Sequence, residues 1–228
     1  MRVEPLMKPC NGFTLIEMAI TLLIVTLLLG GLIVPLSAQI EQRKFSETQK
    51  ALEEIKEALI GYAIIHGSLP CPSTETNPNN AAYGVADTNC QSPPIVEGYV
   101  PWKTLGVSEM DAWGIKRTNT TPLGYWRYRA ERNFSNAAVP FTLSTGFIDG
   151  LIVKNSAGNA LTTATERPVA IIFSTGPNTT SDGLNISAYL GTNGIFQSDT
   201  PSTTFDDLVI WISRPLLMNR MVAAGKLP

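Results

Sequence analysis

From Phe13 to Val34 the chain carries 22 residues with a single charge, Glu17. A helix rises about 1.5 Å per residue, so this run would be about 33 Å long, enough for the hydrocarbon core of a bilayer. An ordinary secretory signal has an apolar core of about 7–15 residues before its cut site. Leu36-Ser37-Ala38 would pass as such a cut site, but the run before it is too long. A lipoprotein signal is excluded, because no apolar run precedes Cys10. Arg2 and Lys8 stand before the run, whereas Glu41, Arg43, Lys44 and Glu47 nearly cancel after it. The positive-inside rule then favours a cytoplasmic N-terminus and an exported remainder. The plainest reading is a membrane anchor.

The chain of 228 residues, 44% apolar and 16% charged, suits one globular domain with an appendage. Its net charge of −2 argues against a dedicated nucleic-acid binder. Beyond Pro35 the pattern becomes amphipathic. Lys50, Glu53, Glu54, Lys56 and Glu57 mark a wet face, while Leu52, Ile55, Leu59 and Tyr62 trace one helical stripe. Lys50 with Glu54, and Glu53 with Lys56, stand at helical pair spacings. Gly67 reads as a C-cap, with Pro70 and Pro72 beyond it. One helix from Phe13 to His66 is therefore predicted, its first half apolar all round and its second half with one face to bury. Gly30 and Gly31, inside the apolar run, weaken a helix by roughly 1 kcal/mol each relative to Ala. They suit either close helix contact or local melting.

Gly12-Phe13-Thr14-Leu15-Ile16-Glu17 resembles the cleavage and methylation motif of type IV prepilins and the pseudopilins of type II secretion. The resemblance implies a leader, residues 1–12, cut after Gly12 by a prepilin peptidase. It implies methylation of the new N-terminal Phe13, and an assembly role for Glu17, the family's signature acid. Pro35 stands where pilin helices often bend. The implied organisation is leader 1–12, membrane and filament-core helix 13–35, amphipathic helix 36–67 and periplasmic globular domain 68–228. The implied fold is α+β: a long N-terminal helix packed on a small antiparallel sheet.

Glu17 also has a physical reading. A charge at the centre of a membrane helix costs about 2.5–3.5 kcal/mol on insertion scales, and less near an end. A carboxylate kept there needs a partner. Cutting after Gly12 would create a cationic α-amino group on Phe13. Glu17 could neutralise that group in its own helix or in a neighbouring chain, where it would set the register of packed subunits. The plain alternative is that Glu17 snorkels to the interface.

Loss of the leader would remove Cys10 and leave Cys71 and Cys90. An even count in an exported domain reads as one disulfide, with a metal or redox role as the alternative. The enclosed loop is rich in Pro, Asn and Gly and looks irregular. Further along, Tyr125–Ala130, Val139–Leu143, Gly146–Val153, Val169–Ser174 and Leu208–Ser213 read as strands, and Pro215–Ala224 as a terminal helix.

Asp111-Ala112-Trp113-Gly114, followed by Trp126-Arg127-Tyr128, is similar to a segment of major pseudopilins. So is the stretch from Ser174-Thr175-Gly176-Pro177-Asn178 through Asp182-Gly183 to Asp206, Asp207 and Trp211, which is similar to their C-terminal loop. In that branch the loop binds calcium, so the resemblance implies oxygen ligands from Asp182, Asn185, Asp206 and Asp207. Alternatively Asp182-Gly183 is a turn and Asp206 a cap or surface charge.

No active site emerges. His66 is the only histidine, which disfavours a Ser-His-Asp triad or a His-based zinc site. Gly191-Thr192-Asn193-Gly194 matches no phosphate loop. Asp206 and Asp207, if on a strand, would point to opposite faces. The cluster Trp126-Arg127-Tyr128-Arg129 with Arg132 and Lys116-Arg117 could face DNA, but reads better as a strand edge of alternating exposure. N-x-S/T sites such as Asn119 and Asn178 carry little weight in a chain with a bacterial leader.

The sequence thus points to a structural assembly subunit, a minor pilin or pseudopilin, and not to an enzyme. Its implied partners are a prepilin peptidase, other pilin or pseudopilin subunits, an inner-membrane assembly platform and membrane lipid; nucleic acid is disfavoured. Calcium is the one cofactor suggested. The rival reading is a membrane-anchored extracytoplasmic binding module that never polymerises.

Overall fold

The computed structural model describes residues 12–91, 97–114, 126–186 and 194–227, and only the backbone of 31–36. The expected leader residues 1–11 with Cys10, and also Lys116-Arg117, Asn119, Tyr125 and Gly191-Thr192-Asn193, lie outside the described residues. The chain divides into two units, Met1–Arg43 and Lys44–Pro228. The division falls within the first helix, α1 (Leu15–His66).

In the first unit α1 begins two residues after Phe13, because Thr14 caps it. Phe13, Leu15 and every large apolar side chain described as far as Leu29 are exposed. A helix that is apolar all round needs lipid or another apolar surface to cover it. Among the described residues no helix is long and apolar enough to cross a membrane; the described side chains of the apolar run end at Gly30.

In the second unit α1 buries the predicted stripe. Leu52, Ile55 and Leu59 are buried, Ile60 and Ala63 join them, and Tyr62 is half-buried. Glu53 and Lys56 form the expected pair at 2.9 Å on the wet side. Gly67 ends the helix at φ +75°, donating its N–H to Ala63 O at 2.8 Å. That left-handed conformation suits glycine.

The following elements are β1 (Gly98–Tyr99), α2 (Trp102–Leu105), β2 (Arg127–Ala130), a 3-10 turn (Arg132–Phe134), β3 (Ile152–Lys154), β4 (Pro168–Ser174), β5 (Ile195–Gln197), β6 (Leu208–Ser213) and α3 (Arg214–Ala223). Strands β1, β2, β4 and β6 form an antiparallel sheet in that order, with Tyr128 opposite Ile172 and Phe173 opposite Val209. Strand side chains alternate between faces. On β4, Ala170 and Ile172 turn toward the α1 stripe, with Trp126, Tyr128 and Ile212. Ile171 and Phe173 turn the other way, onto Leu151, Val153 and Phe196. Val153 and Phe196 belong to the parallel pair β3–β5, so the sheet is covered on both faces. This explains why β4 reads as a continuous apolar run. Ser213 caps α3 by accepting from Leu216 N–H at 3.4 Å.

The α+β class with a long N-terminal helix and a small antiparallel sheet is as expected. Two strand expectations are corrected. Val139–Leu143 is not a strand. Phe141 docks singly, 5.2 Å from the Phe134 ring, while Val139 and Leu143 stay exposed. Of Gly146–Val153 only the end is extended. The N–H groups of Ile148, Asp149 and Gly150 donate to the buried Glu131 carboxylate at 2.6, 2.8 and 3.0 Å, which takes them from any ladder.

Cys71 and Cys90 form a disulfide, with Cα atoms 5.6 Å apart. Their loop is irregular but seated. Ser73 bridges to Tyr99, and Tyr83 meets Trp102 edge-on at 4.9 Å. Gly84 packs so closely on Trp102 that a Cβ there would collide with the indole.

Candidate functional site

The N-terminal motif is organised around the start of α1. Glu17 N–H donates to Thr14 Oγ1 at 3.3 Å, and the Thr14 hydroxyl donates to Glu17 Oε2 at 3.5 Å. With Thr14 at the N-cap, Glu17 is the third helical residue. This is the spacing of a capping box, in which the cap hydroxyl satisfies one of the helix's free N–H groups. Phe13 is highly exposed, and a Cβ built on Gly12 meets nothing within 4 Å. The Gly12–Phe13 peptide bond therefore lies in open chain just before the helix. The T-x-x-E spacing is the sequence signal for such a cap, one that the reading of the motif above did not use.

The second site lies where the ends of β4 and β5 meet the start of β6. One carboxylate oxygen from each of Asp182, Asp206 and Asp207 lies within 4.8 Å of the other two. Asp206 and Asp207 precede β6 instead of lying on it, so they are not held to opposite faces as expected; a loop lets both carboxylates converge. Asp182 N–H donates to Asp207 Oδ2 at 2.9 Å, and Asp206 N–H to Asp182 Oδ2 at 2.9 Å. Asn178 adds its side-chain amide to Asp182 at 3.1 Å. Gly176, at φ +62°, lies under Asp206; a Cβ there would sit 2.5 Å from Asp206 O.

Burial pushes the Asp207 carboxyl up to about 7, against the hydrogen bonds from Asp182 and Asn185 and with the help of the Asp182 and Asp206 charges. Its Oδ1 is buried and takes no hydrogen bond from any described residue. Oxygen donors so placed suit a hard cation such as calcium. Asn185 does not offer its oxygen to this cluster. Its Oδ1 accepts from Gln197 N–H at 2.8 Å, and its Nδ2 donates to Asp207 Oδ2 at 2.8 Å. It braces the cluster against β5, because a buried amide must satisfy both ends.

The Asp111-Ala112-Trp113-Gly114 segment ties this region to the helix. Asp111 Oδ1 accepts from the N–H groups of Trp113 and Gly114 at 3.0 and 3.3 Å. Its Oδ2 accepts from Ser174 Oγ at 2.7 Å. Ala112 N–H donates to Thr48 Oγ1 at 3.3 Å, and Trp113 meets Phe45 edge-on at 5.0 Å.

The basic and aromatic cluster is corrected. Strand β2 is interior, and Trp126, Arg127, Tyr128 and Arg129 are all buried. Arg127 Nε donates to Glu97 Oε1 at 2.7 Å, and Arg132 Nε to Asp149 Oδ1 at 2.7 Å. The four buried side chains, Trp126 to Arg129, offer no surface to DNA. His66 ends α1, stacked on Tyr62 at 3.9 Å with Nδ1 3.0 Å from Tyr62 O, as a helix-terminal residue.

Residues 7–33 match the family model described as the prokaryotic N-terminal methylation motif. This motif is the signature of type IV prepilin-like proteins, and it supports a pilin-like precursor. Neither a curated protein nor a solved structure matches the chain.

Proposed function

We propose that the chain is a prepilin-like structural subunit, a minor pilin or pseudopilin. A prepilin peptidase cleaves it after Gly12 and Phe13 is N-methylated. The helix then waits in the bacterial inner membrane with the globular domain in the periplasm. An inner-membrane platform packs it with other subunits into a type IV pilus or type II secretion pseudopilus. The observation that carries this reading is the methylation motif placed where an exposed Gly12-Phe13 bond meets the capped start of an apolar helix. The test is co-expression with and without the peptidase, followed by the N-terminal mass. A methylated Phe13 N-terminus supports the proposal, and an intact Met1 in the presence of the peptidase overturns it.

A second reading concerns the acidic loop. We propose that Asp182, Asp206 and Asp207 hold a calcium ion, with Asn185 bracing Asp207. Three converging carboxylates, one of them buried with an oxygen that takes no hydrogen bond from any described residue, support it. Bound calcium would supply the positive charge that lets the three acids stay ionised together. A melting temperature that rises with calcium and falls with chelator is expected; one that responds to neither removes the site.

A further inference from the structure

A groove of about 330 Å³ adjoins the acidic loop, at the small end of the range for small-molecule sites. Its wall carries the hydroxyls of Ser156, Thr200, Ser202 and Thr204, the Asp199 carboxylate and the Gln197 amide. Phe205, 6% exposed, also lines it. Among the described residues no cation lines it.

The polar groups at its centre are fixed in advance. Asp199 Oδ2 accepts from Ser156 N–H and from Gln197 Nε2, each at 2.8 Å. Gln197 Oε1 accepts from Leu184 N–H at 3.2 Å, and Asn185 holds the Gln197 backbone from behind through its N–H and its carbonyl. Gly183 packs so tightly on this amide that a Cβ would collide with Gln197 Oε1. Asp199 Oδ1, by contrast, takes no hydrogen bond from any described residue. The Ser156 and Thr200 hydroxyls likewise bond to none of them.

A wall with many hydroxyls, one open carboxylate oxygen and little exposed apolar surface complements a ligand rich in hydroxyls. Anions are disfavoured by Asp199 and the neighbouring acidic loop. A wholly apolar ligand would strip water from the hydroxyls without replacing it. We propose that this groove binds a neutral saccharide, with a sugar hydroxyl donating to Asp199 Oδ1. This goes beyond assembly: it gives the globular domain a target. Each hydrogen bond made replaces one to water, so affinity for a short saccharide is in the millimolar range.

The test uses the full chain in a zwitterionic detergent, because sugar-headed detergents would compete. Maltotriose, cellotriose, chitotriose and, separately, trilysine are titrated to about 10 mM, where a millimolar site is nearly full. Amide NMR shifts at Ser156, Gly183 and Thr200 are followed. At least one trisaccharide is expected to give saturable shifts at these positions. Asp199→Asn keeps the acceptor that holds Ser156 and Gln197 but turns the open oxygen into a donor, and should weaken binding about tenfold. Thr204→Val should weaken it severalfold, and both variants should melt like the parent. No shift with any sugar, equal binding in both variants, or shifts with trilysine alone would overturn the proposal.

Discussion

Ser174 Oγ donates to Asp111 Oδ2 at 2.7 Å, with both residues buried. The same oxygen accepts from Gly176 N–H at 3.1 Å. One hydroxyl thus joins the segment held against α1 at Thr48 and Phe45 to the turn that lies under Asp206. Ser174→Ala leaves Asp111 Oδ2 and Gly176 N–H without it, at a cost of about 1–3 kcal/mol. Urea unfolding of the folded domain should show that loss, and an unchanged midpoint would refute the link.

The cap at the start of α1 separates two roles of the motif. Thr14→Val should loosen the first turn by about 1 kcal/mol, read as faster amide exchange at Glu17 and Met18, with cleavage after Gly12 retained. Glu17→Ala should also be cleaved, yet join filaments poorly. Normal incorporation of Glu17→Ala would remove the argument that this charge sets subunit register.

Burial pushes the Glu97 carboxyl up to about 7, although the Arg127 charge and hydrogen bond pull it down. Its Oε2 is buried and takes no hydrogen bond from any described residue. A folded value above the unfolded one means that the native state binds this proton more tightly. Its contribution is complete below the ordinary glutamate value of about 4.5 and is lost as pH rises through about 7. Glu97→Gln should therefore flatten the fall in stability between those limits. A slope equal to the parent's, measured by melting across that window, would show that Glu97 stays ionised throughout.

Removing the Cys71–Cys90 bond, which closes a separation of 19 residues, should cost about 3 kcal/mol on the chain-entropy account. The double variant Cys71→Ser, Cys90→Ser is expected to unfold at lower urea while keeping the Tyr83–Trp102 contact, read by tryptophan fluorescence. A full chain that shows three free thiols in a thiol titration, with Cys10 as the expected single one, would contradict the bond itself.

What the sequence made legible follows from how local each signal is. The α1 stripe, the Gly67 cap, strand β6 and the prepilin-like motif depend on spacing within one element. Strand β4 was read correctly because burial on both faces leaves it continuously apolar. Val139–Leu143 was misread because an apolar run shows only that side chains are to be buried. It does not show whether they will pair or dock one at a time. The Glu131 carboxylate, which claims three N–H groups 17 to 19 residues away, has no sequence signature. Burial of Arg127 and Arg129 was equally hidden, since Glu97 and Asp149, which face them, come from distant segments. The acidic loop was found by resemblance, but the role of Asn185 depended on the position of Gln197 on β5, which spacing could not supply.

The cap at Thr14 also bears on what cleavage does to the helix. Aligned peptide dipoles give the first turn of α1 a partial positive charge. A cut after Gly12 would put a full positive charge on Phe13, one residue before the cap, at the end of the helix least able to accept it. Methylation leaves that charge in place. Of the charged side chains, only Glu17 stands within the first turn to oppose it. A single subunit would therefore be electrostatically unsettled at its tip, and a neighbour able to share its acid would relieve the tension.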